Sequence, residues 1–289
     1  MNIADTIDIL KSLTPADIVM TAVSFLGVAF FIKWLMAPAG PFDLSNTPIR
    51  RNRIPYFAPF VFILAWLALI AVATRAVETI EAIGAAAETE PWRQDFFTYA
   101  AIATIELAMI IFFIDFARAR FARGLKGFGL DTGTIRKDLP AAAANLVTAI
   151  PFVLSGVALV IFFGRMFYGR QFDFQQSEGL VVIMGNPHPQ LRILMVIFIV
   201  AVAPVFEEML FRGMLQSMIQ GFIGKPWISV ILASVLFVIL HPQTHWLALF
   251  ALSVTMGYAY EKSGSLFRPI FIHVAFNAIN LTATMTGQG

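Results

Sequence analysis

Residues 193–218 read ILMVIFIVAVAPVFEEMLFRGMLQSM. The stretch is almost wholly apolar and exceeds the roughly 20 residues that a helix needs to cross the hydrocarbon core of a bilayer. Three ionisable residues, Glu207, Glu208 and Arg212, interrupt it. Charged side chains inside a bilayer cost about 2.5–3.5 kcal/mol each on insertion scales, so they occur there when they pair, line a cavity or take part in chemistry. The stretch therefore predicts a membrane-spanning helix that carries a polar site.

The composition of the whole 289-residue chain extends this prediction. Apolar residues make up 58% and charged residues 13%, whereas soluble domains have roughly 45–50% and about 25%. The mean hydropathy is +0.78. These values exclude an ordinary soluble domain, a disordered chain and a nucleic-acid-binding protein. The chain has no cysteine, so a thiol nucleophile and a thiolate metal site are also excluded.

Long apolar runs favour a helical bundle over a barrel, because barrel strands would alternate in polarity over about ten residues. We predict an all-α, polytopic membrane helix bundle with about eight transmembrane helices, which forms a single integral membrane domain over residues 1–289. The predicted spans run from Ile18 to Leu35, Pro59 to Thr74, Phe96 to Phe116, Leu139 to Phe163, Ile193 to Met218, Trp227 to Leu240, Trp246 to Tyr260 and Leu266 to Met285.

The distribution of Lys and Arg sets the predicted orientation. The loops after the first, third, fifth and seventh spans contain thirteen of these residues, and the opposite loops contain six. Basic residues are concentrated in cytoplasmic loops, so both termini are predicted to be non-cytoplasmic. The start of the chain lacks the basic region of a signal peptide, and the first span is expected to be retained. We expect a multi-pass protein of the inner or plasma membrane.

Helical spacing gives the two adjacent glutamates different roles. Glu208 precedes Arg212 by four residues, which is the favourable order for an ion pair on one helix face. Neighbouring residues on a helix point about 100° apart, so Glu207 faces elsewhere and has no cation at that spacing. Glu207 is therefore the candidate general base.

Two further polar pairs occur towards the C-terminus. Phe237 and His241 belong to FVILH, and His273 and Asn277 belong to HVAFN. At a rise of 1.5 Å per residue, Glu207 and His241 both lie about 25 Å from the turn between their helices, so we expect them at one level of the bilayer. A carboxylate, two imidazoles and an amide suit the activation of water and the stabilisation of an oxyanion.

Together these motifs resemble those of the CAAX protease and bacteriocin-processing family of intramembrane proteases, also called the Abi family. The family pattern is Glu-Glu-x-x-x-Arg, then Phe-x-x-x-His, then His-x-x-x-Asn. This chain has EEMLFR at 207–212, FVILH at 237–241 and HVAFN at 273–277, in the same order. Each motif alone is weak, whereas the ordered trio in a polytopic protein is specific. The resemblance covers about residues 193–285, the expected catalytic core.

The resemblance implies an intramembrane endopeptidase that hydrolyses peptide bonds of membrane-associated proteins or peptides. It implies that Glu207 and His241 activate the attacking water. It also implies that His273 and Asn277 polarise the carbonyl and hold the oxyanion. Structural roles are expected for Glu208, Arg212 and Phe237.

Metal use stays open at the level of sequence. The interpretation requires no cofactor, but zinc is an alternative, since Glu207, His241 and His273 could supply three ligands and leave an open position. His245 follows His241 by four residues, but Pro242 interrupts a regular helix there. We therefore expect His245 in a loop.

A second hypothesis belongs to another class of protein. A non-catalytic membrane transporter, immunity or scaffold protein would also place polar residues in its bundle, where they would bind a solute or a partner helix. Glu106 and Asp115 lie outside the three motifs, and the sequence assigns them no role.

Overall fold

The computed structural model is mainly helical over the residues it describes. Among them it contains no β-strand and one isolated bridge, between Asn52 and Phe121. The described residues are 22–27, 29, 43–45, 47, 50–84, 90–169, 171–172 and 174–287.

Nine helices are named here in chain order within that part of the chain. The first four are α1 (Ala58–Gly84), α2 (Pro91–Arg120), α3 (Gly124–Phe128) and α4 (Ile135–Tyr168). The others are α5 (Glu178–Gly185), α6 (Pro189–Ile223), α7 (Pro226–Ile239), α8 (Trp246–Ser263) and α9 (Phe267–Met285).

Four segments in the described part are long and apolar enough to cross a membrane: Ala58–Ile80, Pro91–Arg120, Thr132–Tyr168 and Pro189–Ile223. The all-helical class is therefore confirmed, but the prediction of about eight spans is not. The predicted span from Ile18 to Leu35 lies largely outside the described residues.

Helices α7, α8 and α9 are not among the four candidate spans, because they are too short or too polar. Helix α7 is apolar but has only 14 residues. Helices α8 and α9 have 18 and 19 residues, and polar residues such as Glu261, His273 and Asn277 lower their mean hydropathy. A helix enclosed by protein can carry polar side chains that a lipid-facing helix cannot.

Helix α8 lies at the centre of the bundle. Every residue from Ala251 to Glu261 is buried, and α4, α7 and α9 pack around the helix. Gly156 allows α4 to approach it closely, because a Cβ at this position would lie 2.6 Å from the backbone nitrogen of Ala248. By contrast, the most apolar window of α1 has no buried residue, so α1 is peripheral.

Two short turns set the order of the helices around the site. Gly224 follows α6 with φ of 70°, and Gly264 follows α8 with φ of 69°. A glycine in this left-handed conformation commonly ends a helix. Pro226 then begins α7, a position where the missing N–H carries no cost. The turns make α6 and α7 one antiparallel pair and α8 and α9 another.

The segment before α1 is docked onto the C-terminal half of the bundle. The buried guanidinium of Arg50 pairs with the buried carboxylate of Glu261 and lies 4.0 Å from the centre of the Tyr260 ring. Asn52 donates a hydrogen bond of 3.0 Å to the carbonyl of Ser217 in α6. The segment before α1 is therefore held by polar contacts with both α6 and α8.

The close contact between α4 and α8 leads to a stability prediction. We expect Gly156→Ala to lower the free energy of unfolding by about 1–3 kcal/mol, because the added methyl group overpacks a rigid backbone contact. Thermal unfolding in detergent would measure this. Gly185→Ala is the matched control, since a Cβ there has nothing within 4 Å. Equal melting temperatures for the two variants would contradict the prediction.

Candidate active site

Helix α6 changes its hydrogen-bonding register on both sides of the two glutamates. It is π-helical over Phe198–Val202 and over Met209–Gln216, and α-helical over Ala203–Glu208 between them. π-helical turns within α-helices are frequent at functional sites. The motif EEMLFR thus begins in one register and ends in another.

One carboxylate oxygen of Glu208 accepts hydrogen bonds from two side chains. Its Oε1 accepts hydrogen bonds from a guanidinium nitrogen of Arg212 and from Nδ1 of His273, each at 2.9 Å. Another guanidinium nitrogen of Arg212 donates to the hydroxyl of Ser253 at 2.7 Å. Glu208 and Arg212 are almost fully buried. Because these side chains come from α6, α8 and α9, the network connects three helices at one point.

The contact with Glu208 determines which ring nitrogen of His273 carries a proton. A carboxylate paired with Arg212 can only accept, so Nδ1 of His273 must carry the proton in this hydrogen bond. The other ring nitrogen, Nε2, then faces Oε2 of Glu207 at 3.8 Å. His273 is therefore held on one side by the structural glutamate and is open on the other towards the candidate base.

Glu207 is less enclosed than Glu208, with 17% of its side chain exposed. A second carboxyl group, that of Glu106 in α2, lies near enough for the two charges to interact. Glu106 is only 2% exposed, and its Oε2 has no hydrogen-bond partner within the described chain. No role was predicted for Glu106, because it lies in another helix and outside the three motifs.

The ring of Phe237 lies between the polar residues of the cluster. Its centre is 4.6 Å from the ring of His241 and 6.0 Å from the ring of His273. The guanidinium carbon of Arg212 lies 4.8 Å from the same centre, a distance suited to a cation–π contact. Phe237 therefore brings His241 into the cluster by packing.

His241 has a fixed orientation at the end of α7. Its Nδ1 lies 2.9 Å from the carbonyl of Phe237, and a carbonyl can only accept, so Nδ1 is the donor. The indole of Trp246 donates to the carbonyl of His241 at 2.9 Å. In the neutral ring this leaves Nε2 as a hydrogen-bond acceptor.

Asn277 in α9 donates from Nδ2 to the backbone carbonyl of Ile199 in α6 at 2.9 Å. That carbonyl needs a partner because of Pro204. In the π-helical segment the N–H of Ala203 donates to Phe198, so the next bond would run from residue 204 to Ile199. Proline has no N–H, and the side chain of Asn277 supplies the missing donor.

The structure therefore brings some predicted site residues together directly and others only through intermediates. Glu207 lies beside His273, whereas the sequence had associated it with His241. Ser253 and Ile199, which hold Arg212 and Asn277, were not foreseen. The available signal for Ser253 was a serine within the apolar first half of α8. The role of the Ile199 carbonyl could not be predicted from a residue type, because every residue has a backbone carbonyl.

The donor set for zinc does not assemble in this structure. No three His, Cys, Asp or Glu side chains lie close enough to hold a metal ion in the described ranges. We therefore derive no step of the reaction through a metal.

His245 lies near His241 at the edge of the cluster, and Asp115 pairs with a residue outside it. His245 ends a short 3₁₀ turn, Gln243–His245, which agrees with the expected loop position, and its ring packs at 4.6 Å on that of Phe174. Burial lowers the pKa of His245, and the nearby His241 lowers it further. Asp115 is exposed and pairs with Arg118 at 2.7 Å.

Comparison with known proteins bears on the part of the chain that carries the three motifs. Residues 189–279 match the model of a family described as Rce1-like, type II CAAX prenyl endopeptidase Rce1-like. The match confirms the resemblance seen in the three motifs, and it includes all of α6, α7 and α8 and most of α9. A curated relative from Escherichia coli, described as an uncharacterized 24.3 kDa protein, is 24% identical over 148 residues, which are 50% of this chain and 68% of the relative. No solved structure gives a significant match.

The shared oxygen of Glu208 leads to a prediction about stability. We expect Arg212→Met to destabilise the protein by about 3–5 kcal/mol, because removal of one partner leaves a buried carboxylate without its counter-charge. Arg118→Met is the matched control, since its pair with Asp115 is exposed and should contribute less than about 1 kcal/mol. Thermal unfolding in detergent distinguishes the two. If both variants melted at the parent temperature, Arg212 would not be needed to neutralise Glu208.

Proposed function

We propose that this protein is an intramembrane endopeptidase with about eight membrane spans, a single membrane domain and both termini on the non-cytoplasmic side. The observation that carries the proposal is that Arg212 and His273 meet at one oxygen of Glu208 while the other ring nitrogen of His273 faces Glu207. This arrangement lies within the region that matches a protease family. Its substrates would be membrane-associated proteins or peptides of the inner or plasma membrane.

The proposed reaction begins with a water molecule beside Glu207. Glu207 removes a proton from the water. The water oxygen attacks the carbonyl carbon of the scissile peptide bond at the same time. His241 accepts the second hydrogen of the water at Nε2 and so orients it. General base catalysis of this kind contributes about 10²–10⁴ to the rate.

The negative charge that develops on the carbonyl oxygen needs donors already in place. We assign this role to Nε2 of His273 and to the second amide hydrogen of Asn277. Donation from Nε2 requires the doubly protonated ring, and the hydrogen bond from Nδ1 to Glu208 stabilises that form. When the tetrahedral intermediate collapses, the carbon–nitrogen bond breaks and Glu207 returns its proton to the leaving amine. The proposal requires no metal.

The first test replaces the proposed base. We expect Glu207→Gln to lower kcat by about 10²–10⁴ with the fold intact, because glutamine keeps the shape of the side chain but cannot take a proton. Purified protein in detergent would be incubated with extracted membrane proteins, and new termini would be mapped by mass spectrometry. A synthetic peptide that spans a mapped site would then give kcat and KM.

The control for this test is Asp115→Asn, which makes the same chemical change at an exposed carboxylate and should cleave like the parent. If Glu207→Gln also cleaved like the parent, the protease proposal would fail. The cluster would then be better explained as the binding site of a transporter, immunity or scaffold protein.

The second test concerns the oxyanion. We expect Asn277→Ala to lower kcat by about 10²–10³, the usual effect of removing one oxyanion donor. Asn280→Ala is the matched control, because Asn280 lies on the same helix and is exposed. Equal kcat values for the two variants would remove Asn277 from the mechanism.

A further inference from the structure

We propose that Pro204 is a positioning residue for Asn277 and acts through the backbone carbonyl of Ile199. The inference rests on the proposed function, because it concerns the amide to which that function assigns the oxyanion. Helix α6, which carries Glu207, would thereby also orient the amide of Asn277 in α9.

The carbonyl of Ile199 has no donor in its own helix in either register. In an α-helical register its donor would be the N–H of Ala203, but that N–H donates to Phe198. In the π-helical register its donor would be the N–H of residue 204, which proline lacks. The proline therefore leaves an acceptor at one defined point on the surface of α6.

This acceptor determines which end of the Asn277 amide faces α6. A carbonyl can bind only a donor, so the NH₂ group of Asn277 must point towards Ile199, as the 2.9 Å hydrogen bond shows. A flipped amide would place two acceptors against each other. The amide nitrogen has a second hydrogen, whose direction is fixed by the first bond because the group is planar.

The consequence for catalysis is preorganisation. Donors that are oriented before the reaction stabilise developing charge without a cost of reorganisation. If Pro204 were absent, a backbone N–H would occupy the Ile199 carbonyl, and Asn277 would have to share this acceptor or release it. Pro204 thus matters for the position of the amide and makes no contact with the substrate itself.

The test restores the missing N–H. We expect Pro204→Ala to lower kcat by about tenfold with KM unchanged, a smaller loss than for Asn277→Ala because a carbonyl can accept two hydrogen bonds. The melting temperature should not fall, since alanine is favoured over proline inside a helix. Pro204→Ser restores the same N–H and should give the same kcat. Lower activity together with lower thermal stability would instead indicate a purely structural role.

Two comparisons test whether Pro204 acts on kcat through Asn277. Pro151→Ala changes another proline inside a helix, in α4, and should leave kcat at the parent value. In the background of Asn277→Ala, Pro204→Ala should have no further effect, because residues that act through one group are not additive. An equal loss in both backgrounds, or parent-like kcat for Pro204→Ala, would overturn the inference.

The outcome for Glu207→Gln keeps this inference separate from the proposed function. If Glu207→Gln is inactive while Pro204→Ala cleaves like the parent, only the role of Pro204 is rejected. If Glu207→Gln cleaves like the parent, the proposed function fails and the positioning role fails with it.

Discussion

The site depends on one carboxylate oxygen that cannot be solvated. Oε1 of Glu208 receives hydrogen bonds from Arg212 in its own helix and from His273 in α9. Arg212 in turn binds Ser253 in α8. Since a buried charge is tolerated only when it is paired and hydrogen-bonded, these three helices are required to meet at this point. The hydrogen bond to Glu208 directs Nε2 of His273 towards Glu207, and Arg212 packs against the ring of Phe237.

The division of labour between the adjacent glutamates was predictable from helix geometry. The four-residue spacing from Glu208 to Arg212 predicts their contact, and the rotation of about 100° between neighbours predicts that Glu207 faces elsewhere. The structure contains the ion pair and leaves Glu207 partly exposed. These are properties of a single helix, and a single helix is what a sequence pattern describes well.

The partners on other helices were not predictable in the same way. Ser253, Glu106 and the carbonyl of Ile199 reach the cluster only because helices pack in a particular order. The change of hydrogen-bonding register around Pro204 was also not predictable. The sequence shows a proline but does not show which carbonyl lacks a backbone donor as a result. The count of about eight spans is not confirmed, because only four helices of the described residues are long and apolar enough to cross a membrane. Apolar runs were counted without knowing that α8 is enclosed and that α7 is short.

The pairing of Arg50 with Glu261 has a consequence for how the molecule is made. Synthesis begins at the N-terminus, so the guanidinium exists long before the carboxylate that needs it. Helix α8 brings Glu261 into the interior, and an isolated α8 would carry that charge into lipid without a partner. Docking of α8 therefore completes this ion pair and connects the helix to the segment that precedes α1.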